Sequence, residues 1–264
     1  MPELPEVELV RRRLEAGVLG GKITKVRILD EKRLDGTTAK RLRDELTGRE
    51  FLRAGRIGKQ LFLETEGGVL AIHLGLTGDV IIDRSEDETP RFARLVVELE
   101  DGRRLVFEDM RRFGRIGFAT GIDEIVERKH LGRDVMTVSS RIFAEKVRRH
   151  RKAIKSVLLD QSVFSGIGNL YADEALFQAG IHPLTAAALL DEVELRELHR
   201  CVKRVMGRSL AVGSDFDSLP STYLLRNRRE GERCPGMHGA RLASITVGGR
   251  TTIYCPKKQR LKKR

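Results

Sequence analysis

At 264 residues the chain is long enough to bury a sizeable core, in one large or two modest domains. Hydrophobic residues at 40% and charged residues at 33% exclude a disordered chain and point to a globular one. A formal net charge of +12 favours a polyanionic partner, with nucleic acid ahead of an anionic membrane surface or a ribosomal role. No apolar run approaches the ~20 residues that span a bilayer. The first residues lack the basic-then-apolar pattern of a secretory signal. Cys201, Cys234 and Cys255 are too few for a disulfide framework, so a reducing cytoplasmic setting is expected.

In chain order, the opening reads as a helix. Pro5 suits a first turn, Glu3 and Glu6 lie where the helix dipole favours acids, and Val7, Val10 and Leu14 mark one apolar face. Gly20 and Gly21 are read as its end. Short β-type runs follow at 25–29, 60–64, 69–73, 95–99 and 104–107, separated by turns such as Gly67-Gly68 and Asp101-Gly102. That spacing predicts a sandwich or barrel. Beyond Gly121 the pattern turns helical, at 122–129, 140–148, 153–160, 170–179 and 191–212. Residues 213–220 break it, and 234–255 read as a hairpin turning at Gly248-Gly249, before a basic tail at 257–264.

Methionine before proline is normally trimmed, which would leave Pro2 with a free secondary amine at a helix mouth. An α-amino group titrates near neutrality, and a helix N-terminus disfavours its protonated form. Such an amine can attack a sugar C1′ and form an iminium, with Glu3 placed to move protons and Glu6 to orient the amine or a water. The same residues also make an ordinary proline-initiated helix.

The segment Met-Pro-Glu-Leu-Pro-Glu-Val-Glu at 1–8, followed by Arg11-Arg12-Arg13-Leu14, resembles the start of the formamidopyrimidine-DNA glycosylase / endonuclease VIII family. Leu4 is similar to the formamidopyrimidine branch. The resemblance continues at Gly58-Lys59, at His73-Leu74-Gly75-Leu76-Thr77-Gly78, and at Asp109-Met110-Arg111-Arg112-Phe113-Gly114. It runs on through Lys155, Gly166-Ile167-Gly168-Asn169 and Gly248-Gly249-Arg250-Thr251, in order and along essentially the whole chain.

The resemblance implies roles. Pro2 would be the nucleophile and Glu3 the general acid/base, with Glu6 assisting. Lys59 would assist β-elimination, and Arg250 would grip phosphate and promote δ-elimination, a task suited to the fixed donor fork of a guanidinium. His73, Arg94, Arg111, Lys155 and Asn169 would contact DNA. Leu76, Arg111 and Phe113 would fill the stack that an extruded nucleotide leaves. Leucine at the first of these positions stands where many relatives carry methionine, as a stiffer wedge of similar size.

Two departures qualify the likeness. Relatives commonly end in a four-cysteine zinc finger, whereas here Cys234 and Cys255 keep only the first position of each pair. Met237 and Lys258 occupy the others, and His238 is one residue late. A thioether binds zinc poorly and an ammonium not at all. No cofactor is therefore expected, and packing of Leu242, Ile245, Val247, Ile253 and Tyr254 is expected to hold a zincless hairpin. Residues 213–220 also look short for a loop that folds over an extruded base, which leaves 8-oxoguanine preference open.

The expected architecture is α+β: a β-sandwich domain with a leading helix at 1–130, a helix–two-turn–helix domain at 131–221, and a hairpin finger with basic tail at 222–264. The expected function is bifunctional glycosylase/AP lyase action on double-stranded DNA carrying oxidised bases or abasic sites. The protein would be a monomer in the bacterial cytoplasm, associated with the nucleoid. The alternatives are the same chemistry directed at oxidised pyrimidines, or lesion binding without catalysis.

Overall fold

The computed structural model describes residues 2–84 and 88–262. Met1, whose removal is expected, and the last two residues of the basic tail lie outside the described residues. The chain divides into two compact units, one comprising Met1–Pro2 and Glu6–His130, the other Glu3–Pro5 and Leu131–Arg264.

In chain order the first unit holds α1 (Leu4–Gly17, from Glu6), β1 (Ile23–Ile28), β2 (Leu34–Asp35), α2 (Ala39–Leu46), β3 (Arg53–Ile57), β4 (Gln60–Thr65), β5 (Gly68–His73), β6 (Gly78–Arg84), β7 (Ala93–Leu99), β8 (Arg103–Asp109), β9 (Arg115–Ala119) and α3 (Ile122–Arg128). Its strands form two sheets, ordered β1-β7-β8-β6 and β2-β9-β5-β4-β3. Alternation along each strand explains the layering. Leu61 and Leu63 of β4 turn into a core with Leu70 and Ile72 of β5, and with Val97, Leu105 and Phe107 from the other sheet. The intervening Phe62 joins Val69, Ala71 and Ala119 on the opposite face, under Ile125 of α3. Val7, Val10 and Leu14 of α1 complete the main core. Each fully buried Leu or Phe contributes roughly 1.5–3 kcal/mol.

Helix α1 stops at Gly17, short of the expected Gly20-Gly21, and Val18 N–H still reaches the Leu14 carbonyl. The unexpected α2 is short and charge-rich. Thr38 caps it, and only Ala39, Leu42 and Leu46 are buried.

The second unit holds β10 (Arg133–Asp134), α4 (Ser140–Arg148), α5 (Ile154–Leu159), β11 (Phe164–Ser165), α6 (Asn169–Ala179), α7 (Glu192–Ala211), β12 (Ala243–Val247) and β13 (Arg250–Tyr254). A capping box starts α7: the Asp191 carboxylate accepts from Val193 and Glu194 N–H, and Glu194 accepts from Asp191 N–H. Leu4 belongs to this unit's core with Phe143, Phe164, Ile167, Tyr171 and Leu176. Strands β12 and β13 pair antiparallel, Val247 opposite Arg250, around the Gly248-Gly249 turn. Among the described residues no helix is long and apolar enough to cross a membrane.

Candidate active site

The second unit builds its site around a buried acid. Glu3 is fully buried, and its carboxylate accepts from Leu170 N–H at 2.9 Å and Tyr171 N–H at 3.3 Å. These donors belong to the first turn of α6, where backbone N–H groups lack helical partners and the dipole favours an anion. The approach requires glycine, since a Cβ on Gly168 would lie 2.3 Å from Glu3 Cδ. Leu4 N–H donates to Gly166 O at 3.2 Å, so the turn before α6 is moulded on Glu3 and Leu4. Gln161 holds that turn from behind, accepting from Gly166 N–H and donating to Ile167 O. Pro2 immediately precedes this acid and is half-buried. Glu6 is half-buried in the first turn of α1.

One turn along α6, Asp173 is buried and gathers three partner residues. Lys155 Nζ lies 2.6 Å from Oδ1, while Oδ2 accepts from Arg228 Nε at 2.9 Å and from Ile253 N–H at 3.0 Å. Arg228 also reaches the same oxygen through Nη2. Lys155 Nζ donates to Thr252 Oγ1 at 2.7 Å as well. Its ammonium is fully buried, and burial pulls its pKa down against the pull of Asp173 upward. The expected phosphate contact at Lys155 is thus corrected: its donors turn inward, to Asp173 and the hairpin. Asn169 Nδ2 donates to Thr251 O at 3.0 Å and leaves its Oδ1 without a hydrogen bond. Arg250, at the hairpin turn, is exposed.

In the first unit, Lys59 occupies the two-residue turn between β3 and β4, next to Gln60, which pairs with His73 across the sheet. His73 Nδ1 accepts from Gly75 N–H at 3.1 Å, which assigns the ring proton to Nε2. Burial pushes the His73 pKa down to about 4, aided by Lys129, Lys59 and Arg115 and opposed by Asp35. The ring is therefore neutral near pH 7 and offers one donor, Nε2–H, rather than a charge.

The residues expected to fill a base stack lie on two loops joined by a second buried acid, Asp109. Its Oδ1 accepts from Thr77 Oγ1 at 2.7 Å and its Oδ2 from Gly114 N–H at 2.6 Å. Thr77 Oγ1 in turn accepts from Arg111 N–H at 3.1 Å. Gly75 has φ +67° and faces Gly114 so closely that a Cβ would lie 2.5 Å from Gly114 N. Arg112 adopts φ +58°, a left-handed conformation that costs a non-glycine residue about 1 kcal/mol or more. Around it Arg111 and Phe113 are exposed, with the guanidinium carbon 5.4 Å from the ring centroid, and Leu76 is half-buried.

Arg94 is corrected too. It is the extra residue of a β-bulge, buried, and donates to Asp109 O at 3.0 Å and Ala93 O at 3.4 Å. It braces the loop from beneath and presents no donor fork to a phosphate.

The finger core is an apolar cluster of Phe177, Leu224, Cys234, Ala240, Leu242, Ile253 and Cys255, with Met237 packed on it. Of the expected packing residues, Leu242 and Ile253 belong to this cluster, and Tyr254 instead meets His182 edge-to-face at 4.7 Å. Burial and the neighbouring Cys255 push the Cys234 thiol up to about 12. Lys258, at the last ligand position, holds its Nζ 4.1 Å from the Phe177 ring centroid. The donor set does not fit zinc: two thiols, a thioether and an ammonium cannot make a tetrahedron of four ligands. Among the described residues no group of three or more His, Cys, Asp or Glu could hold a metal ion.

Sequence reading missed Asp109, Thr77, Asp173, Arg228 and Thr252. All but the exposed Thr77 are buried or half-buried, and each works through its hydrogen-bond or ion-pair partners. A usable signal was present at Asp109, an acid ending an apolar strand just before the Arg111-Arg112-Phe113 loop.

Two family models match the chain: the formamidopyrimidine-DNA glycosylase N-terminal domain over residues 1–116, and the formamidopyrimidine-DNA glycosylase H2TH domain over residues 131–219. A formamidopyrimidine-DNA glycosylase of Pelotomaculum thermopropionicum is 36% identical over 277 residues, covering 99% of this chain and 100% of the relative. One of Arabidopsis thaliana is 35% identical over 283 residues, covering 99% of this chain and 71% of its own length. Among solved structures, the complex of a Lactococcus lactis FPG mutant with Fapy-dG containing DNA superposes with a TM-score of 0.86 at 30% identity, covering 98% of this chain and 100% of that one. The chain therefore belongs to the formamidopyrimidine-DNA glycosylase family, whose members are DNA glycosylases with AP lyase activity.

Proposed function

We propose that this chain excises oxidised bases, formamidopyrimidines foremost, from double-stranded DNA and then cuts the strand by β,δ-elimination. The observation that carries the reading is the Glu3 carboxylate. It is buried against two backbone N–H groups of α6 and directly follows the residue whose amine would attack. With Met1 removed, the Pro2 nitrogen bonds to C1′, the glycosidic bond breaks, and the departing base takes a proton. Sugar-ring opening leaves an iminium, an electron sink that acidifies the C2′ protons. The Glu3 carboxylate, seated on the Leu170 and Tyr171 N–H groups, is the group that would take and return protons. Glu6 assists at the amine. Loss of the 3′ phosphate, with Lys59 assisting, is the β step; loss of the 5′ phosphate, with Arg250 gripping it, is the δ step.

The DNA-facing groups in this reading are the neutral Nε2–H of His73, Asn169, Arg111 and Arg250, with Leu76, Arg111 and Phe113 filling the vacated stack. A net charge of +12 and the DNA bound to the Lactococcus relative support DNA as the partner. The protein would act as a monomer at the nucleoid.

The packing at 213–220 favours a second reading of substrate choice. Phe216 meets Tyr171 edge-to-face at 6.2 Å, and Leu219 is buried. With these two apolar side chains turned inward, the segment keeps small and polar residues at its surface to lay over an extruded base, which favours oxidised pyrimidines as substrates. Borohydride trapping over a panel of lesion duplexes tests both readings. A covalent adduct abolished by Pro2→Gly is expected; its absence from the unmodified sequence would mean lesion binding without catalysis.

We propose further that the finger folds without zinc, held by its apolar cluster and the Lys258–Phe177 contact. Metal analysis of protein purified without chelator should find no zinc, and one zinc per chain would overturn this.

A further inference from the structure

The hairpin that carries Arg250 is fixed from below by a buried chain of polar groups. Asp173 pairs with Lys155 at 2.6 Å, and Lys155 Nζ donates to Thr252 Oγ1 at 2.7 Å. Thr252 has one proton to give, and it donates that to Arg250 O at 3.1 Å. The direction of every bond in this series is thus set by chemistry, because an ammonium can only donate and a carbonyl can only accept. Asp173, Lys155 and Thr252 are all buried. A second set of bonds holds the next residue: Thr251 O accepts from Asn169 Nδ2 at 3.0 Å and from Arg228 Nη2 at 2.9 Å. Asp173 closes the arrangement by accepting from Ile253 N–H at 3.0 Å and from Arg228 Nε at 2.9 Å.

We propose that Asp173 is a positioning residue for Arg250, acting through Lys155 and Thr252 on the Arg250 backbone. This rests on the reading of Arg250 as the phosphate-gripping group of the δ step. The Arg250 side chain is exposed at a glycine turn, and a guanidinium fork binds phosphate well only when its two donors arrive in register. The exposed side chain carries no hydrogen bond or ion pair among the described residues, so its placement comes from its backbone. That backbone is set by a carboxylate and an ammonium that solvent does not reach. The turn of α6 that receives Glu3 and the turn that presents Arg250 are anchored on one helix, since Leu170, Tyr171 and Asp173 all lie on α6. Asp173 touches neither substrate nor reacting atoms in this assignment.

The test uses the full chain and a labelled duplex with an abasic site. It reads the borohydride adduct separately from the ratio of δ- to β-elimination ends. Thr252→Val removes the relaying hydroxyl with little change of shape, and Thr252→Ser restores it. The expected result is a δ-to-β ratio lowered about tenfold by Thr252→Val, as for loss of one charge-assisted hydrogen bond, with the adduct yield kept and the ratio recovered in Thr252→Ser. Asp173→Asn should shift the ratio further in the same direction. An unchanged ratio in Thr252→Val, or adduct and δ product falling by one common factor, overturns the positioning role. A parent protein that forms no adduct overturns the proposed function instead. Positioning is then read from affinity for a duplex with a stable tetrahydrofuran abasic analogue, where Thr252→Val should weaken binding about tenfold and an unchanged affinity overturns it.

Discussion

Each unit holds an exposed arginine above a buried aspartate and a threonine hydroxyl, but the two aspartates are neutralised differently. In the first unit Asp109 accepts from Thr77 and Gly114, both neutral donors, and Thr77 accepts in turn from Arg111 N–H. Arg94 meets backbone carbonyls, those of Asp109 and Ala93, and makes no ion pair with the Asp109 carboxylate among the described residues. In the second unit Asp173 is flanked by two cations, Lys155 and Arg228, and the threonine link runs through the lysine. The first design places a loop by geometry alone. The second stores paired charge in the interior, so the same chemical change should have different consequences in the two places.

The largest expected effect follows from that difference. Asp173→Asn would strand Lys155 and Arg228 beside a neutral amide, and breaking a buried pair costs about 3–5 kcal/mol. Asp109→Asn removes no counter-ion and exchanges one acceptor for a donor, a loss of about 1–2 kcal/mol. Urea unfolding of both variants measures the contrast, and equal losses would sink it. Adding Lys155→Met to Asp173→Asn should recover part of the stability, because one unpaired charge disappears with its partner.

The units should also respond to pH with opposite signs. Burial pushes Glu174 up to about 7, although Gln178, the Leu225 and Leu224 N–H groups and Lys258 pull it down. A raised carboxylate pKa means the folded state holds its proton more tightly than the unfolded one. Its contribution is full below about 4.5 and is lost as pH rises through about 7. His73 runs the other way: depressed from 6.5 to about 4, it favours folding above 6.5 and ceases to do so as pH falls through 4. Each effect is at most roughly 3 kcal/mol. Once the base-catalysed intrinsic rate is divided out, acidification from pH 7 to 5 should therefore raise amide protection factors in the helices around Glu174 and lower them in the sheet that carries His73. Glu174→Gln should abolish the first response and His73→Gln the second. Identical pH slopes in parent and variants would remove the contrast.

How much of this could be read from the chain depends on whether a residue acts by facing solvent or by being buried. Val7, Val10 and Leu14 announced their helix face through spacing, and the strand at 60–64 showed as a short β-type run set off by turn residues, because burial of apolar side chains leaves a pattern in the chain. Strand β3 (Arg-Ala-Gly-Arg-Ile) was not legible, since two arginines and a glycine hide a pleat whose pairing partner supplies most of the burial. Lys155 and Arg94 were read as phosphate contacts because a cation usually faces water. Only the fold places a carboxylate beside one and a carbonyl above the other. Glu3 was legible as an acid near an amine, but its seat on α6 depends on Gly168, some 160 residues away, which no local pattern reveals.

The smallest expected change in stability belongs to the exposed ends of these devices. Phe113 is 52% exposed, and its ring centroid lies 5.4 Å from the Arg111 guanidinium carbon, a contact worth about 0.5–1 kcal/mol in solvent. Truncating it removes no core atom and leaves the Thr77 hydroxyl between the Asp109 carboxylate and Arg111 N–H in place. Phe113→Ala should therefore shift unfolding by no more than about 1 kcal/mol. Discrimination between a lesion duplex and an undamaged one should fall in the same variant, because the ring is an exposed apolar group of the loop and is proposed to fill the vacated stack. Competition binding with the two duplexes measures this directly. If Phe113→Ala keeps its discrimination while Asp109→Asn loses it, loop shape rather than the ring fills the gap. The first unit would then act as the second does, through backbone placement.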